Sequence, residues 1–158
     1  MTDASFEDGG EQPLRLKALD AEDLGVLAAL AQDAVFPASE MRLDSKARRF
    51  ALLLNRFRWE DAPNAERRKR DFERVQSVLV IEDVMSVKTQ GVSKDDPDMV
   101  FSLLSISFEP SEDGMGQVLL TLAGDGAIAI EVEALEVVLR DVTRPYVAPS
   151  KKAPAHDL

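Results

Sequence analysis

The residue types best suited to gripping a charged group sit together at Asn55-Arg56-Phe57-Arg58-Trp59-Glu60, where the chain's single tryptophan follows two arginines at the end of an apolar run. Arginine and tryptophan dominate binding hot spots, and a guanidinium can hold a carboxylate or a phosphate through two parallel hydrogen bonds. A few residues on, Glu66-Arg67-Arg68-Lys69-Arg70 adds a basic run to an otherwise acidic chain. On one edge, Asn55, Arg56, Arg58, Trp59, Arg67, Arg68 and Arg70 would make a positive, partner-binding patch suited to an acidic protein or a phosphorylated ligand. The same residues also have a plainer reading. Phe57 and Trp59 would complete the core, Arg56 and Arg58 would pair with nearby acids, and the basic run would be a solvated loop. The sequence leaves both open.

Other chemistry is scarce. The one histidine, His156, lies two residues from the C-terminal Leu158, so neither a Ser-His-Asp triad nor a histidine metal site has a positioned imidazole to use. Cysteine is absent, which excludes disulfides, thiolate zinc sites and cysteine nucleophiles, and is neutral about compartment. No GxxxxGK[ST] or GxGxxG run offers a phosphate cradle, and Gly124-Asp125-Gly126 reads as a hairpin turn. Asp95-Asp96-Pro97-Asp98 lacks the spacing and distal glutamate of a calcium loop and reads as a solvated turn. No catalytic residue, cofactor or metal is assigned. Carboxylates are plentiful, so an Asp/Glu acid–base pair stays open as an alternative. A net charge of −10 counts against a general nucleic-acid binder, which needs clustered cations for phosphate contacts.

The elements that would position these groups follow from periodicity. Residues 1–13 read as a disordered arm, 14–143 as a single globular domain and 144–158 as a flexible, proline-marked tail. Leu14, Leu16 and Ala18 alternate as a short strand, and Asp20 N-caps a helix whose stripe is Leu24, Leu27, Ala28 and Ala31. A strand is expected over Val35–Leu43, then a longer one over Arg48–Trp59 with apolar residues on both faces, implying cover from a helix or a partner subunit. Glu60–Arg70 reads as a loop, and strands follow at Arg74–Ile81, Val84–Thr89 and Val100–Glu109, the last with Val100, Leu104, Ile106 and Phe108 facing inward. Gln117–Val132 forms a hairpin. A loop of Gly124, Asp125 and Gly126 places Leu122 opposite Ile128, with Gly126 left-handed. Leu135, Val138, Leu139 and Val142 then stand at helical spacing.

The expected fold class is α+β, predominantly antiparallel β: about seven strands with an N-terminal and a C-terminal helix. That order is also the outline of a pleckstrin-homology-like partly open barrel. No apolar run reaches membrane-span length, and Met1–Gln12 lacks the basic and apolar regions of a signal peptide, so the expected location is cytoplasmic.

Several segments resemble an uncharacterised family of unknown function from alphaproteobacteria: Leu16–Asp23, Gln32-Asp33-Ala34, Arg48–Glu60 (RRFALLLNRFRWE), Leu103–Pro110 and Gly124–Leu139. The resemblance implies a cytoplasmic bacterial protein forming one compact domain, and it carries over no activity and no site residue. The functional expectation is a non-enzymatic binding or adaptor module with a protein partner. The alternatives are a small-metabolite enzyme using an Asp/Glu pair and a structural homodimer.

Overall fold

Strand β1 (Arg15–Ala18) gives way at Asp20 to helix α1 (Ala21–Ala31). The Asp20 carboxylate accepts the Asp23 N–H at 2.8 Å, satisfying a first-turn donor that has no partner within the helix. Leu24, Leu27 and Ala31 form the buried stripe. The computed structural model describes residues 12–93, 96–147 and 153–154, and beyond α1 these described residues are strand-rich. In order come β2 (Val35–Pro37), a 3-10 turn (Ala38–Glu40), β3 (Met41–Asp44), β4 (Arg49–Phe57), helix α2 (Ala62–Arg67), β5 (Glu73–Ile81), β6 (Val84–Gln90), β7 (Val100–Pro110), β8 (Gly116–Leu122), β9 (Ala127–Val132), β10 (Val137–Asp141) and β11 (Tyr146–Val147).

The strands form one antiparallel path, β1-β10-β5-β4-β2-β7-β8-β9-β6, with β3 added to β4 and β11 to β5. Inward residues of both halves meet in one core. Leu52, Leu54, Leu79 and Leu139 come from the first half, Leu103, Val118, Leu120 and Ile130 from the second, and Leu24 and Leu27 from α1. The path runs from one free edge to another, so the sheet is open.

This corrects the expected fold class. The described residues form eleven strands and not about seven, and the expected C-terminal helix is strand β10. Leu135–Val142 satisfies both periods, but Val137, Leu139 and Asp141 alternate with Val138 and Arg140, and β10 fills the gap between β5 and β1. With that helix gone and the sheet open, the barrel outline goes too. Val35–Leu43 is split after Pro37, and the Glu60–Arg70 loop contains α2, with Pro63 in its first turn. The expected arm, apart from Gln12 and Pro13, lies outside the described residues, as do Asp95, Pro149 and His156.

Two registers also differ. A bulge between Leu103 and Ser105 switches the inward face of β7, so Phe101 and Leu103 point in before it and Ile106 after it, while Val100 is 64% exposed. In the β8–β9 hairpin, Leu120 faces Ile128 and Val118 faces Ile130, one pair along from expectation. The loop is Ala123-Gly124-Asp125, with Gly124 and Asp125 at φ 78° and 69°. A shift of two residues keeps every side chain on its face, so the core tolerates either register and the turn decides. No helix among the described residues is long and apolar enough to cross a membrane.

Candidate functional site

Even-numbered positions of β4 point inward: Phe50, Leu52, Leu54 and then Arg56. Arg56 is fully buried (0% exposed), so its cation must be met by counter-charges inside the protein. Glu60, one turn beyond the strand, accepts from Nη1 and Nη2 at 2.9 and 2.8 Å. Asp141 on β10 accepts from Nε at 3.2 Å and from Nη2 at 3.0 and 3.2 Å. Ser77 on β5 accepts from Nε at 3.1 Å and donates its hydroxyl to Asp141 at 2.6 Å. The second Asp141 oxygen accepts the Leu14 N–H at 2.9 Å. One guanidinium therefore ties together β4, β5, β10 and the chain entering β1.

The charges continue outward in alternating sign. Arg58, 5% exposed, donates to Glu73 and lies 3.8 Å from Glu60 and 3.7 Å from Asp61. Asp61, just before α2, accepts both terminal nitrogens of Arg70 at 3.1 and 3.0 Å. Asn55 donates to the Tyr146 hydroxyl and accepts Arg74 Nε at 2.6 Å, which fastens β11 to the sheet. The Trp59 indole N–H donates to the Gln32 carbonyl at 2.9 Å, and its ring meets Phe57 edge-on at 4.7 Å between centroids. No buried side-chain nitrogen or oxygen among the described residues lacks a hydrogen-bond partner.

Electrostatics follow from this packing. Burial lowers the Arg56 pKa, but the hydrogen bonds and charge of Glu60 and Asp141 more than reverse that and raise it overall. Burial likewise pushes the Glu60 carboxyl up, and the Arg56 hydrogen bonds and charge overcome it, so Glu60 stays below its ordinary value. Arg74, half-buried beside Tyr146 and without a carboxylate hydrogen-bond partner, is lowered by burial.

The sign for Glu60 is that of a depressed acid. Its stabilisation is present above the ordinary carboxylate pKa of 4.5 and is lost as pH falls through the lower folded value. Glu60→Gln should therefore melt below wild type at neutral pH, with the gap narrowing under pH 4.5. Thermal melts across an acid series check this, and a gap independent of pH would refute it. Because the Glu60 side chain is 28% exposed, the difference should be modest.

Of the seven residues singled out from sequence, Arg56, Arg58, Trp59 and Arg70 belong to this fastening with Asn55 beside it. Arg67 is exposed and, among the described residues, donates to Asn64 within α2, and Arg68 is exposed next to it. Sequence reasoning did not single out Ser77, Asp141, Asp61, Glu73 or Tyr146. Ser77 and Asp141 had a signal, since each is a polar residue at an inward position of an apolar alternation. Glu60 and Asp141 both serve as ligands of Arg56. No group of three or more metal-ligating side chains occurs among the described residues.

No curated protein and no solved structure matches this chain. One family model does match, across residues 14–156, and by that match the chain belongs to DUF2948, a family of proteins of unknown function.

Proposed function

We propose that this protein is a non-enzymatic binding or adaptor module whose contact surface includes the shoulder formed by α2. The observation that supports this reading is the pairing of exposed cations with a rigid base. Arg67 and Arg68 lie exposed at the end of α2 with no ion pair among the described residues, while Asp61 and Arg70, on either side of α2, are locked to each other. Asp61 in turn sits against Arg58, so the shoulder is continuous with the buried network that begins at Arg56. A cation held in place loses less freedom on binding than one on a mobile loop. The partner class that fits is a protein presenting carboxylates, which Arg67 and Arg68 would grip while Asn55, Arg56, Arg58 and Trp59 hold the platform behind them.

The test is affinity capture with wild type and with Arg67→Glu, Arg68→Glu. Both sites are exposed, so the variant's melting curve should match wild type to within about 0.5 kcal/mol. A partner retained by wild type and lost by the variant, with capture by wild type weakening as salt rises, is the expected result. Identical capture by both proteins would overturn the reading.

A further inference from the structure

The register of the sheet gathers a second surface, on the face opposite the core. One row across the strands reads Leu53, Val78, Arg140 and Arg15 on β4, β5, β10 and β1, and the next reads Ala51, Val80, Val138 and Lys17. The neighbours in each strand, Leu52, Leu79 and Leu139, are inward and fully buried, so these rows face outward. Leu53, Val78, Val80 and Val138 are half-buried, whereas Arg15, Lys17 and Arg140 are exposed. α1 packs with the core and so leaves this face clear of it.

Arg15 and Arg140 are direct cross-strand partners. Like charges in that position destabilise an antiparallel pair, and neither arginine has an ion pair among the described residues. Lys17 differs, lying 3.6 Å from Glu136. A chain with net charge −10 thus holds two uncompensated cations together beside apolar surface. Facing each other without an ion pair among the described residues is costly for folding, and it favours binding something negative.

We propose that this outward face of β4, β5, β10 and β1 docks an acidic segment of another protein that also carries apolar side chains. Its carboxylates would sit between Arg15 and Arg140, and its apolar side chains on Leu53, Val78, Val80 and Val138. The size of the partner follows from screening. Charges in physiological salt act over about 8 Å, so a short segment responds to the two arginines and not to the acidic remainder of the molecule. A membrane or a nucleic acid lying across this side would meet the whole negative protein with too few cations to offset it. A second copy docking by two-fold symmetry about the patch would bring the same arginines together, adding repulsion. This surface, on β4, β5, β10 and β1, stands apart from the α2 shoulder.

The probe is a short fluorescent peptide in which glutamate alternates with leucine, with its lysine–leucine counterpart as control, read by anisotropy. Wild type should bind the acidic peptide saturably, more weakly as salt rises, and should ignore the basic one. Arg140→Glu should weaken binding by about tenfold or more. The same substitution should raise Tm by about 1–3 °C, because an opposite charge then faces Arg15. Loss of binding is thereby separated from loss of folding. Arg15→Glu should reproduce both effects. Any of four results would overturn the proposal: no binding by wild type, binding unchanged in Arg140→Glu, tighter binding to phosphatidylserine vesicles than to the peptide, or a wild-type dimer that Arg140→Glu dissolves.

Discussion

Arg56→Ala should lower the stability of the folded protein by about 3–5 kcal/mol, because it leaves buried carboxylate charge without its cation. At this chain length that corresponds to a fall in Tm on the order of 10 °C. The cost arises at Asp141, whose side chain is 5% exposed and receives the Ser77 hydroxyl and the Leu14 N–H but has no other cation in contact among the described residues. Arg56→Lys should recover only part of the loss, since a single ammonium cannot span Glu60 and Asp141 in the forked geometry of the guanidinium. Asp141→Asn removes the stranded charge, so in that background Arg56→Ala should cost less by about 1–3 kcal/mol. Denaturant midpoints of the four proteins measure this coupling. Additive effects would show that the two groups do not depend on each other.

The second large effect is expected at Gly116, where the limit is space. It opens β8 opposite Pro110 on β7 and Val132 on β9, and a Cβ there would lie 2.5 Å from the Glu109 carbonyl oxygen and 2.6 Å from the Phe108 ring. A side chain can swing away from such a contact, but a strand carbonyl cannot move without its ladder. Gly116→Ala should therefore cost about 1–3 kcal/mol or more by overpacking. Adding Phe108→Leu should restore little of it, because the carbonyl stays where it is. Chemical denaturation decides the matter, and a Gly116→Ala protein as stable as wild type would mean that the β7–β8 pair spreads freely at its end.

These two sites differ in how far the sequence exposed them. β1, α1, β4 and β5 are readable from local alternation, because each has one apolar face and an evident break at either end. β10 is not, since eight residues carry a helical stripe and a strand alternation at once, and only the vacancy between β5 and β1 chooses between them. The β7 bulge leaves no mark in composition, so its reversal of the inward face was invisible. At the site, an arginine at an inward position of β4 already required buried acids. Glu60 was four residues away and readable, whereas Asp141 stands 85 residues from Arg56 and becomes a partner only through the register of three strands. The facing of Arg15 by Arg140 is hidden for the same reason.

The antiparallel pairing of β1 with β10 has a consequence for the time course of synthesis. Arg15 meets Arg140 and Leu14 bonds to a residue 127 positions later, so the first strand made has no partner until nearly all the domain exists. At about 5–20 residues per second, that wait is on the order of ten seconds on the ribosome. During it β5 lacks one neighbour and the cation of Arg56 lacks one of its two carboxylates. A chain cut short before Val137 would lose the partner of its first strand, the second flank of β5 and one of the two counter-charges of its buried arginine together. Completion of the last strands thus acts as a single checkpoint, and incomplete products should be recognisable to proteases by failing it all at once.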